Sequence, residues 1–351
     1  MLWLKRVGLA LGVLILAAAA VVGLSYLSYY STMRIDTAKG IDEAGYVRIG
    51  GIDQWVQIRG DDRANPVLLW LNGGPGFSTI PNTFAFRAWE KRFTVVMWDQ
   101  RGEGKTFALS GTSVKDSMTI DRFTRDGIEV ADVLRTRLGK SKIALLGHSW
   151  GSILGVHMVH ARPDLFSVYV GTGQVVNLEK DAAAAYPLLI ERARALGNQA
   201  AEQQLTGAGP PPYPIDGFKK YVWVIWANEL DPPIKKVLSF ASLWPVLVNI
   251  ASGPGGFAPD AQFSQESLWG EMVDDDLPGL GPKFDLPVVF IQGADDRLTV
   301  TALAKSYFDS IEAPSKAFVV LDGAGHNAII GDRDAFLNAL DQHVRPLALA
   351  N

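Results

Sequence analysis

Ile143-Ala144-Leu145-Leu146-Gly147-His148-Ser149-Trp150-Gly151-Ser152 passes from an unbroken apolar run, through a serine flanked by glycines, into a helical pattern that reaches Ala161. The apolar run reads as a strand buried on both faces. A sharp Gly-x-Ser-x-Gly turn between strand and helix holds the serine hydroxyl clear of the backbone at the strand's C-terminal end. It needs glycine where a side chain would collide. The helix that follows directs its N-terminus at the serine, where it favours developing negative charge. Ser149 is therefore the candidate nucleophile.

The same strand reading applies on either side. Tyr46–Ile49 and Gln54–Ile58 alternate around Gly50-Gly51 as a hairpin does. Val67–Leu71, Thr94–Trp98, Val168–Val170, Val288–Ile291 and Ala317–Leu321 are short apolar runs, and helical patterns lie at Thr119–Leu138, Thr299–Ile311 and Asp334–Val344. Strand–helix alternation predicts a doubly wound α/β domain. It breaks between about Gly173 and Pro282, where Glu179–Leu196, Asp216–Leu230 and Ile234–Ile250 read as helices among proline-rich turns. The sequence thus divides into core residues 46–173, a helical cap at 174–282, and core residues 283–351.

A serine nucleophile needs a base and a group that orients the base, and a Gly-x-Ser-x-Gly turn in this setting takes them in chain order acid, then histidine. Gly293-Ala294-Asp295-Asp296 follows one late strand and Gly323-Ala324-Gly325-His326 the next. Among five histidines, only His326 falls on such a loop. Asp296 is chosen over Asp295 as the acid, Asp295 being assigned to capping the next helix or binding Arg297. Asn72-Gly73-Gly74-Pro75-Gly76 follows Val67–Leu71 and supplies an oxyanion-hole N–H at Gly74, with Trp150 as its partner. Asp99 and Arg101 are expected to pair with each other and brace that loop. These features predict an α/β-hydrolase fold, a mostly parallel eight-stranded sheet flanked by helices with a helical cap insertion and an N-terminal transmembrane helix.

The 351 residues are 48% hydrophobic and carry a net charge of -4, with no electrostatic footprint for nucleic acid. The absence of cysteine excludes disulfides, thiolate metal sites and a cysteine nucleophile. No phosphate-binding glycine loop, clustered metal-ligand spacing or nicotinamide fingerprint occurs, so neither metal nor cofactor is expected. Nothing in the pattern fixes an oligomeric state. Lys5 and Arg6 precede an apolar run from Val7 to Leu24, with Tyr26, Tyr29 and Tyr30 beyond it. Residues 1–30 read as a membrane anchor with a cytoplasmic N-terminus, and 31–45 as a tether. The alternative is a signal peptide cleaved after Ala18 and Ala20, leaving a secreted or periplasmic protein. Both place the catalytic body outside the cytoplasm.

Taken together, NGGPG at 72–76, WDQRGEG at 98–104, GHSWGS at 147–152, GADD at 293–296 and GAGH at 323–326 resemble the proline iminopeptidase family of serine peptidases. The resemblance spans nearly the whole chain after Tyr46. It implies release of an N-terminal residue, often proline, from short peptides, under a helical cap whose acidic residues bind the free amino group. Candidates here are Glu179, Glu191, Glu229, Glu266 and Glu271, with Glu229 preferred, and Trp223 and Trp226 match the family's W-x-x-W. Three features depart from it: Asn72 replaces a histidine, Ala227 stands where an acid often follows the second tryptophan, and such enzymes are commonly soluble. The cap aromatics (Trp223, Trp226, Phe240, Trp244, Phe257, Trp269) suit an acyl chain as well as a proline ring, so an esterase or lipase-like activity is the alternative. A non-catalytic membrane-tethered binding module would show a broken triad. A serine in the turn disfavours aspartate-nucleophile enzymes such as epoxide hydrolases and dehalogenases.

Overall fold

The computed structural model describes residues 2–232 and 259–350. The helix expected at Ile234–Ile250 and the aromatics Phe240, Trp244 and Phe257 lie outside the described residues. Eight strands form one sheet: β1 Ile41–Ile49, β2 Ile52–Gly60, β3 Val67–Leu71, β4 Thr94–Asp99, β5 Ile143–His148, β6 Phe166–Thr172, β7 Val288–Gly293 and β8 Lys316–Leu321. Their order is β1-β2-β4-β3-β5-β6-β7-β8. β2 is antiparallel to both β1 and β4, and every other pairing is parallel.

The central strands β3 to β7 are buried along their whole length, as their unbroken apolar runs require. One face of the sheet packs under α3 Ile120–Leu138 and α4 Trp150–Ala161. The side chain of Thr119 caps α3 by accepting from Arg122 N–H, an arrangement that contributes about 1 kcal/mol. On the other face Trp89 stacks between Trp70 and Phe336, with ring centroids at 5.8 and 5.5 Å.

Between β6 and β7 the described residues hold no strand. The cap helices are α5 Leu178–Ala195, α6 Gln199–Ala208, α7 Ile215–Ala227 and α8 Pro259–Asp274. α5 to α7 share a small core of their own around Leu189, Leu205, Tyr221 and Ile225.

α1 runs from Leu2 to Met33, and its segment Arg6–Met33 is long and apolar enough to cross a membrane. Residues 31–45 are not a uniform tether. The helix continues to Met33, a turn follows, and β1 begins at Ile41. The physical reason lies in two arginines. Arg59 donates to Met33 O, and Arg87 donates to Thr32 O and Arg34 O, satisfying carbonyls at the end of α1.

Candidate active site

β3, β4, β5, β7 and β8 each end at the same edge of the sheet, and the loops that follow them carry the candidate residues. This is where open α/β sheets bind ligands. Ser149 begins α4 with φ 55°, a left-handed conformation shared by Glu229 alone among the described non-glycine residues. Holding it costs about 1–3 kcal/mol. The flanking glycines are obligatory. A Cβ on Gly147 would lie 2.4 Å from Gly151 O, and one on Gly151 would lie 2.1 Å from Leu71 O.

His326 Nε2 lies 3.0 Å from Ser149 Oγ, and His326 Nδ1 lies 3.1 Å from Asp296 Oδ2. Asp296 also accepts from Leu298 N–H, Thr299 N–H and Thr299 Oγ1–H at 2.9, 2.8 and 2.7 Å. Burial pushes the Asp296 carboxyl up, but His326 and these donors outweigh it and hold its pKa below the ordinary value. Burial likewise pushes His326 down, and the Asp296 charge and hydrogen bond overcome it, so the pKa of His326 is raised. With Asp296 ionised, Nδ1–H donates to it and Nε2 is left to accept from Ser149. Asp295 instead pairs with Arg297 at 3.0 Å, half-exposed. The His148 ring lies tilted against His326 with centroids 5.2 Å apart, and burial lowers its pKa to about 3, so it is neutral near neutral pH.

Gly74 and Trp150 face the same cavity as Ser149. A hydrogen-bonded chain lies under their loop. Trp150 Nε1–H donates to Gln100, Gln100 donates to Asn72 Oδ1, and Asn72 donates to Glu103 at 2.7 Å and to Phe77 O. Asn72, the departure from the family pattern, thus has a full set of partners. Asp99 and Arg101 do not pair. Arg101 binds Asp126 at 3.0 Å, and Asp99 accepts from Ser78 Oγ and Lys105 N–H. The two side chains, two residues apart after β4, reach partners on different elements.

The cavity holds about 300 Å³ between the Gly147–Gly151 turn, the nucleophile elbow, and the cap. Ile153, Leu178, Phe218, Val222, Trp226 and Trp269 are among its walls. Trp226 lies 6.1 Å from the His326 ring, between centroids. Glu229 and Trp223 do not line it. Phe218, Val222 and Trp226 recur every four residues on the face of α7 that meets the cavity, whereas Trp223 is a further 100° around and 63% exposed. Glu229 follows the end of α7 in a left-handed conformation and points to solvent. Glu179, Glu191, Glu266 and Glu271 are exposed too; Glu266 binds Lys219, and Glu271 accepts from Ile120 N–H.

Two buried acids near the site escaped the sequence reading. Asp231, just beyond α7, accepts from His326 N–H and Arg297 N–H, both at 2.9 Å. Asp181 on α5 accepts from Val176 N–H and Asn177 N–H through Oδ2, and its Oδ1 is buried without a partner among the described residues. Burial pushes its pKa up to about 7. Asp231 has no local sequence signal, because its partners stand on two distant loops, whereas Asp181 sits in the first turn of α5 and bonds amides four and five residues before it, a local capping pattern that the sequence reading passed over.

A family model described as the alpha/beta hydrolase fold matches residues 66–332. The chain belongs to the α/β-hydrolase family. Within it, the chain is proline iminopeptidase-like and an enzyme of hydrolase type. It is 33% identical to a probable aminopeptidase, YbaC, of Bacillus subtilis (strain 168), over 85% of this chain and 94% of that one. It is 24% identical to a proline iminopeptidase of Saccharolobus solfataricus, over 91% and 97% of the two chains. Among solved structures, a proline iminopeptidase-related protein from Thermus thermophilus superposes with a TM-score of 0.64 at 21% identity, covering 89% of this α/β-hydrolase and all of that chain (100%).

Proposed function

We propose that this α/β-hydrolase is a membrane-anchored serine hydrolase that cleaves esters of apolar, uncharged acyl groups outside the cytoplasm. Ser149 Oγ attacks the carbonyl carbon while His326 Nε2 takes its proton. The N–H groups of Gly74 and Trp150 receive the oxyanion. His326 then gives the proton to the departing oxygen, leaving an acyl group on Ser149. Water, deprotonated by the same ring, releases the acid and restores the serine. Asp296 fixes the ring and offsets its positive charge. The pairing of His326 with both Ser149 and Asp296 at hydrogen-bond distance supports the chemistry.

The observation that carries the substrate class is the cavity lining. No carboxylate is among the residues that line it. Residues 233–258 contain no Asp or Glu, so every acid of the chain is among the described residues. A substrate ammonium buried there would have no charge partner, which is costly. Lys5 and Arg6 ahead of the apolar run support a cytoplasmic N-terminus.

The second reading is an aminopeptidase acting on short peptides. The 33% identity with a probable aminopeptidase favours it. So does Asp181, whose neighbours Leu178 and Ala182 line the cavity and whose Oδ1 has no partner among the described residues.

The test is a parallel assay of the full chain in detergent. Its substrates are p-nitrophenyl esters of increasing acyl length, aminoacyl p-nitroanilides with a free amino group, and the same anilides N-acetylated. Ester turnover should rise with acyl length, each methylene placed in the cavity gaining about 0.8 kcal/mol, or about fourfold in kcat/KM. The acetylated anilides should match the free ones. A strict requirement for the free amino group would overturn the ester reading in favour of the aminopeptidase.

A further inference from the structure

Asp231 closes a seam between the cap and the catalytic loops. Leu230 beside it is fully buried in the cap core, and Asp231 itself is 1% exposed. Its two oxygens take different loops. Oδ1 accepts from Arg297 N–H, the amide that follows Asp296, and Oδ2 accepts from His326 N–H, each at 2.9 Å. One carboxylate therefore spans the loop after β7 and the loop after β8. The contact is tight enough to dictate a residue in the second loop. A Cβ on Gly325 would lie 2.1 Å from Asp231 Oδ2 and 2.6 Å from Pro232 Cδ.

We infer that Asp231 is a positioning residue that ties the end of cap helix α7 to the base and the acid of the triad, setting the spacing of Asp296 and His326. The inference rests on the triad reading above. Asp231 reaches no substrate, being absent from the cavity wall. It acts through two backbone amides and through its charge. Burial pushes its own pKa up to about 6, and ionised it adds to the negative field at His326. The other titratable groups whose fields reach His326 or its ring neighbour are Asp296 after β7, Asp181 on α5 and His148 in the elbow.

A positioning role predicts a loss that ignores the substrate. In the full chain, Asp231→Asn should lower kcat about tenfold on p-nitrophenyl acetate and p-nitrophenyl octanoate alike, the size expected for one lost charged hydrogen bond. KM should stay within about twofold, since kcat and kcat/KM fall together when ground-state binding is untouched. The acid limb of the kcat/KM profile should move to lower pH, because removing a negative charge lowers the pKa of His326; a purely structural residue would leave that limb in place. Gly325→Ala, which presses on the same carboxylate, should give the same substrate-independent loss. If Asp231→Asn does not fold, Gly325→Ala decides the matter. Wild-type kcat with an unmoved limb in a folded Asp231→Asn, wild-type turnover in Gly325→Ala, or a loss confined to one substrate overturns the inference. Ser149→Ala, run alongside, separates the two levels. If it is inactive while Asp231→Asn is unaffected, only this inference falls; if it is active, the triad itself falls.

Discussion

Replacing Asp296 by Asn tests the triad at its least redundant point. The carboxylate accepts from Leu298 N–H and Thr299 N–H through Oδ1, and from Thr299 Oγ1–H and His326 Nδ1–H through Oδ2. An Asn in the same place keeps its oxygen toward the two backbone donors. Its NH2 then faces His326 Nδ1, which must give up its proton and become an acceptor. The proton moves to Nε2, 3.0 Å from Ser149 Oγ, and the ring can no longer take the serine's proton. The equivalent change in other triads costs about ten-thousandfold in kcat, or ~5.5 kcal/mol. Asp295→Asn is the control. Its side chain is 42% exposed and pairs with Arg297, away from the His326 ring. An exposed pair contributes at most about 1 kcal/mol. Steady-state hydrolysis of p-nitrophenyl butyrate, with circular dichroism to show that both variants fold, reads the difference. A loss below about tenfold in Asp296→Asn, or an equal loss in Asp295→Asn, refutes the assignment.

The remaining predictions concern pH, the cavity and the N-terminal helix α1. Because Asp296 raises the pKa of His326 against burial, activity should be lost as pH falls through a value above the ordinary histidine pKa of about 6.5. A kcat/KM acid limb centred below about 6 would contradict this. Trp226→Ala removes a wall of the cavity and should lower kcat/KM for long-chain esters by about 10- to 100-fold while sparing acetate; equal loss on both would show that the ring does not meet the acyl chain. Arg59→Ala strands Glu90, whose side chain is 1% exposed and which pairs with Arg59 at 2.7 Å. The cost should be about 3 kcal/mol, at the low end for a broken buried pair because Arg87 remains at 3.4 Å. Thermal unfolding of the full chain in detergent reads it, and an unchanged midpoint would count against the docking of α1 on the body.

Residues whose placement depends on short-range rules were legible from sequence. Ser149 and Asp296 follow the buried strands β5 and β7, His326 follows the half-exposed edge strand β8, each by a few residues, and parallel strands bring their C-terminal loops to one edge whatever the cap does. The bounds of α3 are of the same kind, the helical pattern Thr119–Leu138 matching the helix Ile120–Leu138 to within one residue. Contacts made across the fold were not legible. Arg101 looked like a partner for Asp99 because the two are close in sequence, yet its acid is Asp126 on α3. The hydrogen-bonded chain from Trp150 through Gln100 and Asn72 to Glu103 joins three loops, and no local pattern announces it.

The cap shows two sequence signals in conflict. In α7 the motif W-x-x-W drew attention to Trp223 and, beyond it, to Glu229, while the helical period put Phe218, Val222 and Trp226 on one face. The period prevailed, because a helix buries the face that its i, i+4 spacing makes continuous, and Trp223, about 60° beyond Trp226, falls outside that face. The consequence reaches the substrate. Once Glu229 turns outward, the buried acids left around the site are Asp296, Asp231, Asp181 and Glu103, the last held beneath the oxyanion loop by Asn72. The first two are occupied by His326 and by the catalytic loops. Recognition of an amine would therefore fall to Asp181, whose helix lines the cavity through Leu178 and Ala182 and whose Oδ1 has no partner among the described residues, and Asp181→Asn becomes the sharpest discriminator between the two substrate classes. It should leave ester turnover within about threefold, as for a group that meets no acyl chain. A selective loss of about 100-fold on free aminoacyl anilides, with esters spared, would move this hydrolase to the aminopeptidases.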